Sequence, residues 1–211
     1  MKKINFDMLL LTSVMCLVPI LFGLYFYKEI PQIVPIHFDI NNNPDGFMSR
    51  ELFVFGMPVI MMLVQVFTCV MLDLKSKNTD KSNKSLFMYK LLIPFISVLI
   101  YVMIILYAMT YGIDISKVAM LILGVLFIVI GIDLPNADDA HINFPKINDE
   151  KVYQKTKNVF GKIFIINGTL ALITSLFDTR YIIAIILLLI IEAIGLLIFA
   201  TCYNRNLEKK K

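Results

Sequence analysis

Six apolar runs divide this chain, at residues 8–27, 52–74, 91–112, 118–132, 160–177 and 181–203. A helix rises about 1.5 Å per residue, so about 20 apolar residues cross about 30 Å of hydrocarbon. Each run predicts a membrane-spanning helix, the fourth being the shortest. The pattern predicts an all-α polytopic membrane bundle of six transmembrane helices. Lys2 and Lys3 before an apolar run are also how a cleaved signal peptide opens. The first run is long for one, and no small-x-small cleavage site follows Tyr27, so it is read as a span.

The polar intervals differ from one another. Residues 31–50, PQIVPIHFDINNNPDGFMSR, form the only polar segment of any length in the first 70. Within it Val34, Ile36, Phe38 and Ile40 alternate with Pro35, His37 and Asp39. An extended backbone puts the four apolar residues on one face, for the span ends or the lipid interface, and His37 and Asp39 on the other. Asn43-Pro44-Asp45-Gly46 predicts a tight turn, with proline fixing φ and glycine free to take positive φ. The interval 75–90 is basic and rich in Ser and Asn, as befits a topogenic linker or a docking patch for lipid head groups or an acidic partner.

The interval 133–161 changes character midway. Pro135 and Pro145 break regular structure. Asn148 or Asp149 can cap a helix, and Val152, Thr156, Val159, Phe160 and Ile163 recur at helical spacing. This predicts an amphipathic helix on the inner surface running into the fifth span. His141 is isolated and expected to be solvated.

Composition agrees. The chain is 58% hydrophobic with a mean hydropathy of +0.78, above the 45–50% apolar content typical of soluble domains. The net charge of +4 carries no nucleic-acid signal, because the basic residues sit where topology needs them. With six spans, 16 Lys and Arg fall on one side and 4 (Lys28, Arg50, Lys117 and Arg180) on the other. The bias predicts a multi-pass membrane protein with both termini cytoplasmic and residues 28–51 outside. Cys16, Cys69 and Cys202 lie in or at the end of apolar runs and read as packing thiols.

Four polar residues interrupt the spans. Counted from the cytoplasmic ends, Gln65, Tyr101, Asn167 and Glu192 all lie roughly 10–15 Å deep. That common depth allows one hydrogen-bonded cluster inside the bundle. Interhelical hydrogen bonding is the plain account, and a polar pocket or proton site the functional one. Glycines at 56, 124, 131, 168 and 195 permit close helix approach, with no GxxxG pair.

The interval EIPQIVPIHFDINNNPDGFMSRE resembles the hallmark of a bacterial membrane domain of unknown function, a pattern like L-P-x-x-I-P-x-H-F-x-x-x-G-x-P-D-G after a first span. Pro31, Pro35, His37, Phe38, Pro44, Asp45 and Gly46 match, and asparagine at 42 or 43 stands where that pattern has glycine. This domain forms the front half of SdpI-type proteins. Gly131, Leu134, Pro135, Asn143, Pro145, Glu150, Val152, Tyr153, Lys155 and Thr156 can be laid in order on their back-half segment, but its G-I-R-T core and tryptophan are absent. The resemblance divides the chain into an N-terminal membrane domain, 1–112, and an SdpI-like half, 113–211, carrying the cytoplasmic segment 133–161.

The resemblance implies a six-span immunity protein that protects its producer from a secreted toxic peptide or bacteriocin. It implies a peptide partner at the outer face, a cytoplasmic repressor as a second partner, surrounding lipid, and no direct contact with nucleic acid. The ligand-binding candidates are Pro35, His37, Phe38, Asp39, Pro44, Asp45 and Gly46, with Phe38 and Phe47 for apolar contact. No catalytic residue, metal ligand or cofactor is expected. The alternative is a membrane enzyme that holds a divalent metal on the H-x-D-x₅-D spacing of His37, Asp39 and Asp45. A sensor with the outer loop as input is compatible with immunity. A transporter is the weakest reading, since no inverted repeat or broken-helix pair is clear.

Overall fold

The computed structural model describes residues 4–39, 41–75, 80–137, 144–177 and 182–208. Among these described residues six helices are long and apolar enough to cross a membrane. The chain is therefore a helical multi-pass membrane protein, with one two-stranded hairpin added. Contacts divide it into two units, Met1–Val118 and Ala119–Lys211.

In the first unit the opening span is two helices, α1 (Phe6–Met15) and α2 (Pro19–Tyr25). Asn5 caps α1 through the Met8 N–H. Pro19 has no N–H, and its ring opposes the carbonyl four residues back, on Met15. That carbonyl accepts instead from Val18 N at 3.3 Å, in a tightened turn that kinks the span. The hairpin follows, β1 (Ile33–Phe38) and β2 (Pro44–Ser49), then a π-helical turn (Leu52–Gly56) leading into α3 (Met57–Lys75). The third span lies in α4 (Asp80–Ala108), whose helix begins well before the expected residue 91. Part of the interval read as a linker is therefore helix.

Two further prolines sit inside spans, and each frees a carbonyl. Pro58 leaves the Val54 carbonyl without its helical donor, and the Tyr101 hydroxyl of α4 donates to it at 3.3 Å. Pro94 does the same to the Lys90 carbonyl, and Gln65 Nε2 of α3 donates to that one at 2.8 Å. Each helix thus repairs the break in the other. Tyr101 reaches Val54 by passing over Gly23, where an added Cβ would lie 2.1 Å from the tyrosine oxygen. Its ring stacks on Phe53 with centroids 4.7 Å apart.

A buried ion pair closes one end of this unit. Lys90 Nζ donates to Asp73 Oδ1 at 2.6 Å, and the two side chains are 3% and 5% exposed. Asp73 Oδ2 also accepts from Asn5 N at 3.0 Å, tying α1 to α3. Lys90, read as a loop charge, is a buried helix residue. Toward the opposite end of α4, Ile30, Val34, Phe53, Val54, Tyr101, Ile104 and Ile105 form the unit's apolar core.

In the second unit α5 (Ile115–Asp133) and α6 (Glu150–Phe177) meet along glycines. A Cβ on Gly124 would stand 2.8 Å from the Gly168 carbonyl, and one on Gly131 would stand 2.6 Å from that of Gly161. The reciprocal distances are 2.6 and 2.7 Å. The glycines are seven apart on each helix, two turns of one face, so the backbones touch without GxxxG. Asp149 Oδ1 caps α6, accepting from Lys151 N at 3.0 Å and Val152 N at 3.1 Å. The helix runs unbroken from this cap to Phe177. Lys157 is buried, donating to the Ala137 carbonyl at 2.6 Å. The final helix is α7 (Ile182–Glu208), and Asn204 exchanges hydrogen bonds with Asn148 N and the Lys146 carbonyl, both at 2.9 Å.

The ion pair yields a stability prediction. Asp73→Ala leaves a buried ammonium without its counter-charge and should cost about 3–5 kcal/mol. Replacing both residues with leucine should recover most of that loss. Thermal unfolding in detergent reads both effects, and an unchanged Tm for Asp73→Ala would contradict the role given to the pair.

Candidate functional site

The hairpin carries seven of the residues singled out in the sequence. Ile33 pairs with Ser49, Val34 with Met48 and Pro35 with Phe47. The register then shifts twice, so that His37 pairs with Gly46 and Phe38 with Pro44. Ile36 is the extra residue of β1 and Asp45 that of β2. Two compensating bulges restore the original register, and a bulge re-aims the side chains beside it. Here it brings the Asp45 carboxylate onto His37 Nδ1. Both side chains are accessible, at 73% for His37 and 50% for Asp45.

Gly46 has a specific reason to be glycine. An added Cβ would lie 2.8 Å from the Cβ of His37, its cross-strand partner. The expected positive φ at this residue is absent. The expected turn at residues 43–46 is displaced as well, since Pro44, Asp45 and Gly46 belong to β2. The chain reverses at residues 39–43 instead. Asp39 Oδ1 accepts from Asn41 N and Asn43 N, both at 2.8 Å, and Asp39 Oδ2 from Asn43 Nδ2 at 3.1 Å. These bonds hold the Asp39 carboxyl below its ordinary pKa. The asparagine-rich run supplies this turn because short polar side chains bond the backbone nearby.

Asn42 takes φ of 64°, a left-handed conformation that glycine adopts freely and asparagine tolerates. It stands at the motif position where the resembled pattern has glycine. Its side chain does what glycine cannot: Nδ2 donates to Asp114 Oδ1 at 2.9 Å, and Oδ1 accepts from Ser116 N at 2.9 Å and Ser116 Oγ at 2.6 Å. The hairpin tip is thus pinned to the start of α5. Arg50 fixes the base, with Nη1 donating to the Tyr27 and Ile30 carbonyls, both at 3.2 Å, and its guanidinium 4.4 Å from the Tyr27 ring centroid. Tyr27 in turn donates to Glu51 at 3.2 Å; the Glu51 backbone N–H first, then the Tyr27 hydroxyl and the Arg50 charge, lower the Glu51 pKa.

The inward face settles which apolar residues are available to a ligand. Val34 and Pro35 are buried, and Phe38 meets the edge of Tyr107 at 4.7 Å, so Phe38 packs on α4. Ile40 lies outside the described residues. Outward stand His37, Asp45, Phe47 at 58% exposure and Ile33 at 64%. Of the H-x-D-x₅-D set, His37 and Asp45 come together while the Asp39 carboxylate is engaged in the turn. Among the described residues no three His, Cys, Asp or Glu side chains gather as metal ligands.

The four intramembrane candidates take different partners. Gln65 and Tyr101 cap the two freed carbonyls and do not bond each other. Asn167 Nδ2 donates to Glu192 Oε2 at 2.7 Å, joining α6 to α7. His141 lies outside the described residues. Asp73, Lys90, Asn42 and Arg50 went unremarked as structural anchors. A hint was present for three: an acid and a base at facing span ends, and asparagine where the pattern has glycine.

Asn42 can be tested without disturbing its backbone. Asn42→Gly accommodates the positive φ but removes three tip bonds, each worth about 0.5–1.5 kcal/mol net. Amide exchange at Ser116 should quicken about tenfold or more, and unchanged exchange would mean the tip is held by other contacts.

Comparison with known proteins places residues 14–62 in the profile of an uncharacterised family, Domain of unknown function (DUF1648). The matched stretch takes in part of the kinked first span, the whole hairpin and the π-helical entry to α3. No curated protein and no solved structure matches the chain.

Proposed function

We propose that this chain is an immunity protein of the bacterial cell membrane, recognising a secreted toxic peptide on the outer face of its hairpin. The observation that carries the reading is the surface built by the two bulges. An acid–imidazole pair stands there toward the tip, and two exposed apolar side chains, Phe47 and Ile33, follow toward the base. A surface of this kind complements an amphipathic peptide, with the carboxylate for a cationic group and the apolar pair for its nonpolar face. A rigid frame favours recognition, because a preorganised loop loses little entropy on binding. The hairpin has such a frame, anchored at its tip by Asn42, at its base by Arg50 and beneath by Val34 and Phe38. The SdpI-like resemblance supplies the biological context, and a cytoplasmic repressor would be a second partner. The excess of Lys and Arg on one side supports cytoplasmic termini and an external hairpin.

The topology is tested in a cysteine-free variant carrying either Asn41→Cys or Lys151→Cys. A membrane-impermeant maleimide added to intact cells should modify position 41 and spare position 151. The reverse pattern would overturn the proposed orientation.

Protection itself is tested in the native cell. Cells deleted for this gene should be killed by spent medium from cells that carry it, and the wild-type gene should restore survival. His37→Ala/Asp45→Ala protein should accumulate normally in the membrane yet restore little or none. Full survival with the double variant would remove the recognition role from this surface.

A further inference from the structure

Within the second unit lies a cavity of about 290 Å³, bounded by α5, α6, α7 and the segment before α6. Its walls are apolar almost throughout. They include Phe144, Phe160, Phe164, Leu189 and Leu196, and the one ionisable group among them is Glu192. Among the described residues the hydrogen-bond partner of Glu192 is Asn167, itself 2% exposed. One amide N–H satisfies part of a carboxylate, which can accept about four hydrogen bonds. An unneutralised carboxylate at membrane depth costs at least a few kcal/mol, so it calls for a proton or a cation. The rings of Phe144 and Phe160 stand 6.1 Å apart, tilted by 73°. Phenylalanine faces attract cations, most strongly where water is excluded.

We infer that this cavity binds a lipophilic monocation, a quaternary ammonium or phosphonium with aryl or alkyl substituents, with Glu192 as counter-ion. The volume sits near the lower end of the range for small-molecule sites, which suits one compact organic cation. Such an ion carries no hydrogen-bond donor, so charge and apolar contact are what the site must supply. Asn167 is the positioning residue, holding the carboxylate at the cavity wall from a neighbouring helix. The site is independent of the hairpin, and its occupant enters from the bilayer, where lipophilic cations partition.

The probe is radiolabelled methyltriphenylphosphonium, added to the purified full-length protein in detergent, with empty micelles as the blank. Saturable binding near one equivalent is expected. Glu192→Gln, which retains the hydrogen bond from Asn167, should weaken it at least tenfold. Ala193→Phe fills the cavity and leaves the carboxylate, and it should weaken binding to a similar degree. No saturable binding above empty micelles would overturn the inference. So would affinity within threefold of wild type in either variant. Should Glu192→Gln fail to fold, the Ala193→Phe comparison alone decides the matter.

Discussion

Lipid offers a backbone carbonyl no hydrogen-bond partner, and the packing of the first unit follows from that. Proline at 19, 58 and 94 interrupts three helices within the spans, and each interruption strands a carbonyl four residues earlier. Met15 is served by its own chain in a tightened turn. Val54 and Lys90 are served from across the helix interface, by Tyr101 and Gln65. The two services are reciprocal, α4 mending α3 and α3 mending α4. This arrangement fixes the relative depth of the two helices, since a shift of one turn would leave both carbonyls unpaired.

That fixed depth is what places the hairpin. The stacked Phe53 and Tyr101 sit where the π-helical turn opens, and Val34 is buried in the same core. The inward residues of β1 rest on α4, whose position the carbonyl capping has set. The outward residues are then presented in one orientation, and the two bulges refine it by bringing Asp45 to His37. At the other end of α4 the Asp73–Lys90 pair and the Asn5 N–H hold the helix ends together. A polar group that resembles a functional site in isolation can thus be a repair of the backbone, as Gln65 and Tyr101 are. Glu192 differs from them in facing a cavity rather than a carbonyl.

The second unit solves helix contact differently. Where the first uses polar side chains, α5 and α6 use the absence of side chains, at Gly124 and Gly168 and again at Gly131 and Gly161. Backbones that close gain dispersion contact, which lipid chains do not replace with the same density. The same two helices also line the cavity beside Glu192, through Ile130, Phe160 and Phe164.

The six spans were legible in the linear chain because a long apolar run has few alternatives to a membrane helix, whatever packs beside it. A helix cap at Asn148 or Asp149 was legible for a similar local reason, and Asp149 supplies it; strict alternation along β1 was not, since Pro35 is buried beside Val34 and Ile36 is the extra residue of a bulge. The hairpin's true turn was not, because Asn-Pro-Asp-Gly and Asp-Ile-Asn-Asn-Asn are both competent turn sequences and only the strand register chooses between them. Nor could the chain alone show that Gly46 makes room for His37, that Asn42 reaches Asp114 and Ser116, or that glycines seven apart would meet their counterparts. Hydrophobicity is a property of neighbouring residues, summed along the chain. The bonds that position the hairpin join residues 25, 47 and 74 apart, and such bonds exist only once the helices have packed.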